Sequence, residues 1–265
     1  MTPSTMVWSK GTKNIISLLL PPAFWLGAWQ LCAWLVERSV EGRGNELLLP
    51  YPATVLAALV RLSGDPLFWQ TVLASLGRIL AGMLWGTALG AAIAAVTFLS
   101  PWAHRLLAPA IRVIRATPVA SFILLVLLWT GRDLVPVLIS ALMVLPVVWE
   151  NLSRGLREVD PQLLEMAKAY RFTNLQLVRL IYLPSLRPYF LSAVTTAMGL
   201  AWKSGAAAEV LCLPKQAIGT QIYNSKLYLE IPDLFAWTVV VVALSMLLEK
   251  LLHALLHHKK GGVFR

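Results

Sequence analysis

"LLEMAKAYRFTNLQLVRLIYLP", residues 163–184, is the stretch on which the fold turns. It carries Glu165, Lys168, Arg171 and Arg179 on a helical rhythm of apolar residues, and long apolar runs flank it on both sides. Asp160-Pro161 just before it reads as a helix start, a capping carboxylate followed by proline at the first helical position. From there Leu163, Met166, Ala167 and Tyr170 fall on one face at i, i+3, i+4 and i+7. Thr173-Asn174-Leu175-Gln176 reads as a second start, a capping box. Its stripe uses Leu175, Val178 and Tyr182, and Leu183-Pro184 is expected to stop it. The spacing therefore predicts two short helices joined by a tight corner.

Outside this stretch the chain is apolar. Of 265 residues, 58% are hydrophobic and only 14% charged, against roughly half and a quarter in soluble domains. Several runs reach the ~20 residues that a bilayer-crossing helix needs. Together these features exclude a soluble globular domain and imply an all-α polytopic membrane protein. Spans are expected at 15–36, 70–99, 106–130, 134–150, 185–212 and 233–256. The run after the polar segment 1–14 is longer than a signal-peptide core of about 7–15 residues, so it reads as an uncleaved first span. "YPATVLAALVRL" (51–62) reads as a short amphipathic helix with Val55, Leu56, Leu59 and Leu62 on one stripe. The third run, interrupted by Arg112, Arg115 and Pro118, is either kinked or broken. Its uninterrupted part covers roughly 17 Å at 1.5 Å per residue.

The net charge of +10 is distributed between apolar runs, which favours membrane-flanking charge over nucleic-acid binding. Most of the 23 basic residues collect on one side of the expected spans, among them Arg105, Arg112, Arg115, Arg154, Arg157 and Arg179. That asymmetry places residues 161–184 and both termini in the cytoplasm. Arg78 and Lys203 remain inside spans. Cys32 and Cys212 lie in apolar runs and read as packing residues. His253, His257 and His258 stand beside Lys259 and Lys260 without a carboxylate or thiol. Together with the stretch 257–265 they read as a solvated basic tail, with no metal site and no cofactor expected.

The pattern E-M-A, three residues, Arg, nine residues, Ile-x-Leu-Pro (Glu165 to Pro184) closely resembles the EAA loop of permease subunits in binding-protein-dependent ABC importers. "RATPVASFILLVLLWTGRDLVPVLISALMVLPVVWENLSRGLREVDPQLLE", "GLAWKSGAAAEVL" and "PDLFAWTVVVVALSMLLEKLL" resemble the nitrate/sulfonate/taurine branch of that family. The likeness covers about residues 50–255. It implies one permease domain (1–265) with six transmembrane helices and a cytoplasmic two-helix coupling loop between the fourth and fifth. It also implies a bacterial cytoplasmic (inner) membrane location, a second permease subunit (a homodimer), two P-loop ATPase subunits and an extracytoplasmic substrate-binding protein. Leu164, Glu165, Met166, Ala167, Tyr170, Arg171, Phe172 and Thr173 would couple the spans to the ATPases. The chain carries no G-x4-G-K-[ST] loop, so ATP hydrolysis would belong to those partners and this subunit would not be an enzyme. Two positions depart from the motif: Met166 replaces its first alanine and Arg171 its glycine. A left-handed backbone at Arg171 would cost about 1 kcal/mol relative to glycine.

Ionisable residues within spans are candidate sites by default. Lys203 and Glu209 are six residues apart, about 600° of helical turn, and so do not share a face. Lys203 either lines the pathway, favouring an anionic or polar solute, or pairs with another span or snorkels. Glu209 either joins it or sits near the outer surface. Thr117, Pro118 and Ser121 at the interruption are further pathway candidates. The run Gly199, Ser204, Gly205, Ala206, Ala207 and Ala208 would suit a dimer-facing or pathway-facing wall. Nitrate, a sulfonate such as taurine, a bicarbonate-like anion and a thiamine-precursor pyrimidine are all substrates the resemblance permits. A self-sufficient secondary transporter or channel is the alternative class, and it would call for carboxylates deep in the spans. A membrane-embedded enzyme would need a nucleophile–base pair or a metal cluster, which the spans do not show.

Overall fold

Glycines stand at 82, 86 and 90, and their spacing by four puts them on one stripe of a helix. That helix is the 34-residue α3. The structure is a computed structural model that describes residues 10–40 and 47–257. Residues 1–9 and 258–265, which include most of the expected polar N-terminal segment and basic tail, lie outside the described residues, as does the side chain of His257. The described residues are helical, without strands: α1 (Lys10–Ser39), α2 (Pro52–Ser63), α3 (Pro66–Leu99), α4 (Pro101–Ala116), α5 (Val119–Trp129) and α6 (Val135–Arg157). They continue as α7 (Pro161–Ala169), α8 (Asn174–Leu177), a π-helical turn (Val178–Tyr182), α9 (Leu183–Cys212), α10 (Ile218–Leu227) and α11 (Ile231–His257). The chain forms two compact units, one of residues 66–223 with 239–265 and one of residues 1–65 with 224–238.

In the larger unit α6 is the central element, packed on α3 and on α9. A Cβ added at Gly82, Gly86 or Gly90 would lie 2.3, 2.5 or 2.8 Å from the backbone oxygen of Val137, Ala141 or Leu145. The two backbones therefore meet directly, the close approach that small residues at every fourth position permit in an apolar medium. On its other side α6 receives α9, where Ser140 donates to the Ala201 carbonyl at 3.2 Å. Gly205 abuts Ile79 and Ser140, and Ser204, Gly205 and Ala208 are buried within this same chain. That corrects the expectation of a dimer-facing or pathway-facing wall for these three. They make the room that lets α3, α6 and α9 close on one another.

Three helices, α3, α6 and α11, are long and apolar enough to cross a membrane, and α4 with α5 would make a fourth if the pair is one span. α9 has the length, but Lys203, Glu209 and the small residues between them dilute its apolar character. The expected run 106–130 is not one straight helix: α4 and α5 meet at 108°. Proline disfavours helical backbone at the residue before it, and Thr117 accordingly takes ψ 132° before Pro118. Ser100 accepts from the Ala103 amide at 3.3 Å and Pro101 follows, so α4 has its own start. A second correction concerns Pro184. It does not stop the helix that begins at Asn174, which runs through the π turn into α9. Proline removes one amide donor and crowds the carbonyl four residues back. Here the Leu183 amide bonds to Val178 five residues back, and the widened turn accommodates Pro184.

In the smaller unit α1 begins at Lys10, five residues before the expected span. Proline opens α2 at Pro52 as expected. Val55 and Ala58 are buried with Ala236, and Trp29, Leu59, Leu62 and Phe235 pack around them. Leu56, expected on that stripe, is 61% exposed. It sits one residue after Val55, about 100° around the helix. Arg61 pairs with Asp233, and the Trp29 indole donates to the Pro50 carbonyl at 3.1 Å.

Candidate functional site

Residues 159–182 build a compact corner. The Asp160 carboxylate accepts from the Gln162 amide at 2.8 Å and Pro161 opens α7. At the other end the Phe172 amide donates to the Ala167 carbonyl at 2.9 Å and the Arg171 amide to the Lys168 carbonyl at 3.1 Å. This is the Schellman pairing that closes a helix, and it requires a left-handed residue at the corner. That residue is Arg171, with φ 53°. Position 171 thus has the glycine-like backbone that the motif implies, occupied by a residue that costs about 1 kcal/mol there. Immediately afterwards Thr173 and Gln176 form a reciprocal capping box: the Thr173 amide donates to Gln176 Oε1 at 2.8 Å, and the Gln176 amide donates to Thr173 Oγ1 at 3.4 Å.

The apolar residues of the corner divide differently from the expected stripes. Val159, Ala167 and Ile181 form a buried cluster, against which Leu164, Phe172, Leu177 and Tyr182 pack. Leu163, Met166 and Tyr170 face outward at i, i+3 and i+7, and Tyr170 is 75% exposed. Ala167 leaves that stripe for the inner face because Leu164 and Phe172 pack beside it. On the second helix Leu175 and Val178 are likewise exposed, and Leu177 and Ile181 take the packing role. The short helices therefore have two apolar faces, one folded inward and one left open. Glu165, Arg171 and Thr173 are also exposed.

A second constellation lies where α3, α9 and the start of α10 converge. Glu209 is 1% exposed. Its carboxylate accepts from Ser75 Oγ at 2.8 Å, from the Gly219 amide at 3.2 Å and from Arg78 Nη1 at 3.1 Å. Ser75 Oγ in turn accepts from the Ile218 amide at 2.9 Å. The other arm of Arg78 donates to the carbonyls of Lys215 and, at 3.2 Å, Gln216. Those carbonyls belong to a loop in which Leu213 and Gln216 are left-handed. One guanidinium thus neutralises a buried carboxylate and ties down a strained loop. A buried charge is tolerated when it is paired and its lone pairs are filled, as here.

Among the pathway candidates, Glu209 belongs to this node and Lys203 is exposed on another face of α9. Thr117 is half-buried and donates its hydroxyl to the Val113 carbonyl at 2.8 Å, and Pro118 and Ser121 are exposed at the α4–α5 bend. The sequence reading missed Arg78, Ser75 and Gly219 as partners of Glu209. A signal was available: Arg78 and Glu209 are opposite charges, each inside an apolar run, and unpaired charges there are costly. Among the described residues no group of three or more histidine, cysteine or carboxylate side chains could hold a metal ion.

Comparisons with known proteins agree on the kind of protein this is. Residues 53–259 match the family described as binding-protein-dependent transport system inner membrane component. An Escherichia coli (strain K12) protein carrying the name of an aliphatic sulfonates transport permease, SsuC, is 31% identical over 230 residues, covering 85% of this chain and 82% of the relative. The taurine transport system permease protein TauC of the same organism is 25% identical over 217 residues, covering 80% and 78%. A crystal structure of an amino acid ABC transporter with histidines shares the fold at a TM-score of 0.61, with 20% identity, over 76% of this chain and 96% of that one.

Proposed function

Since the chain belongs to the binding-protein-dependent transport system inner membrane components, a family of multi-pass membrane permeases, we propose that it forms the substrate pathway of an ABC importer and transmits ATP-driven motion through residues 161–184. In this reading two copies form the pathway, two separate P-loop ATPase subunits dock on the α7–α8 corners, and an extracytoplasmic binding protein delivers the solute. α1, α3, the bent α4–α5 pair, α6, α9 and α11 are its six spans. Basic residues on the inner side, Arg105, Arg154 and Arg179 among them, put the corner and both termini in the cytoplasm.

The observation that carries the reading is the divided corner. Its inner face is packed on the chain by the cluster around Ala167, and its outer face leaves Leu163, Met166 and above all Tyr170 exposed. A lever needs both: stiffness toward the spans it moves and an open surface for the subunit that moves it. Leu164, Ala167 and Phe172 serve the first need. Glu165, Met166 and Tyr170 serve the second, and Arg171 and Thr173 fix the angle between the helices. The continuous helix from Asn174 through α9 gives a direct mechanical route from the corner to the core of the bundle.

The solute is a small sulfonate, in keeping with the sulfonate and taurine permeases among the relatives. Lys203, exposed on α9, and Thr117 and Ser121 at the α4–α5 bend are the residues proposed to meet it. The test uses proteoliposomes holding the permease, its ATPase and its binding protein. Inserting two residues after Arg171 should abolish sulfonate uptake with membrane insertion intact, and Lys203→Ala should raise the substrate concentration needed for half-maximal uptake. Normal uptake by the insertion variant would refute the lever. Uptake by the permease alone without ATP would instead favour a secondary transporter.

A further inference from the structure

A cavity of about 480 Å³ lies between α4 and α6. Arg112 and Arg115 line it from α4, and Arg154 and Arg157 from α6. Each pair is spaced by three, which sets two guanidiniums one above the other on a helix face. The two faces are turned toward one another across the same space. Positive charges so arranged repel unless something negative stands among them.

The protein supplies little of that. Two carboxylates line the cavity, Glu150 and Glu158. Glu150 is already paired with Arg115, and Glu158 accepts the Tyr189 hydroxyl. Among the described residues the guanidiniums of Arg112, Arg154 and Arg157 form no ion pair. Ser153 is among the lining residues, and its buried Oγ has no hydrogen-bond partner. The remaining wall is apolar and shaped by Ile111, Pro146 and the Trp149 ring, on which His104 stacks at 6.0 Å.

A plain solvated basic face is the competing explanation. Such a face spreads its charges over a convex surface toward water. Here four arginines from two helices, each exposed, line one concave site. Arginine, with its planar fork of donors, is also the side chain suited to bidentate recognition of phosphate-like oxygens.

We propose that this cavity is a binding site for a tetrahedral oxyanion of the phosphate or sulfonate type. Arg112, Arg154 and Arg157 hold its oxygens. The anion has two sources, the headgroup of an anionic phospholipid or a soluble oxyanion. The outer side of α4 bears on the first, since the apolar Trp102, Leu106 and Val113 are exposed there beside the arginines. The site stands apart from the α7–α8 corner and does not rest on sulfonate transport.

The test titrates the delipidated full-length chain, in a neutral detergent, with phosphatidylglycerol or phosphatidylcholine and reads bound lipid by native mass spectrometry. Parallel titrations add inorganic phosphate or methanesulfonate as competitor. Phosphatidylglycerol should bind at least about tenfold more tightly than phosphatidylcholine, and R112Q/R157Q should erase that preference. R112K/R157K, which keeps charge and loses the fork, should fall between. Phosphatidylglycerol retention that resists millimolar phosphate and methanesulfonate assigns the lipid source. Binding of either soluble anion that R112Q/R157Q removes assigns the soluble one. R154Q, at an exposed position, provides a second route if the double variant does not fold, and should weaken binding severalfold with an unchanged melting temperature. Wild-type binding of every probe by R112Q/R157Q, or no oxyanion binding by the wild type, would overturn the proposal.

Discussion

The α7–α8 corner and the Arg78–Glu209 node are both built from charged and polar residues in an apolar chain, and they are finished to opposite degrees. At the node every oxygen of Glu209 has a donor and both arms of Arg78 have acceptors, all within one chain. At the corner both helix ends are capped while apolar side chains on the outer face stay exposed. A closed network holds elements together and has no capacity for a partner. A capped backbone under an open apolar face is rigid and still has a surface to offer. The comparison separates what stabilises this protein from what it presents to others.

Arg78→Ala leaves a buried carboxylate uncompensated and frees the loop carbonyls. It should destabilise the chain by about 3–5 kcal/mol, read as the loss of the folded fraction in a thermal or denaturant series in detergent. Arg78→Met with Glu209→Leu, which removes both charges, should recover a large part of that loss. If the double change is no better than Arg78→Ala, the pair is not the unit described here. Next comes the helix seam, where Gly86→Leu forces side-chain atoms against the Ala141 carbonyl 2.5 Å from the added Cβ. It should cost about 1–3 kcal/mol, whereas Gly27→Leu, whose Cβ meets nothing within 4 Å, should be nearly silent in the same melt.

Effects at the corner should be smaller on stability and larger on partnership. Ala substitution of Thr173 removes a cap and should cost about 1 kcal/mol. Arg171→Gly relieves the left-handed strain but loosens the unfolded chain, so a gain of up to about 1 kcal/mol is expected. A clear loss on Arg171→Gly would show that the guanidinium makes an interaction worth more than the strain, with an ATPase or within the chain.

Much of this was legible in the sequence for reasons of local physics. Asp160-Pro161 and Thr173-x-x-Gln176 mark helix starts through their own side chains, and the structure puts both caps where those residues stand. The family was legible from the spacing of Glu165, Arg171 and Ile181-x-Leu-Pro184. What was not legible depended on neighbours distant in sequence. Which apolar stripe of α7 turns inward is decided by Phe172 and Ile181 across the corner, and periodicity alone chose Met166 and Tyr170. Pro184 read as a stop because the π turn that accommodates it has no signature of its own. Glu209 could be flagged as an intramembrane charge, but its partner lay 131 residues away in α3. The glycines at 82, 86 and 90 did carry a signal, since three small residues spaced by four mark a close helix contact.

On the proposed reading the open face of α7 is the docking surface for the ATPase subunits. The most direct measurement is the amount of ATPase retained when the tagged permease is purified from the membrane. M166D/Y170S alters only exposed positions, and the account predicts at least about a tenfold loss of retained ATPase, because a charge buried at an apolar contact is strongly penalised. The permease itself should remain monodisperse with an unchanged melting temperature. Wild-type retention of ATPase by that folded variant would contradict the claim.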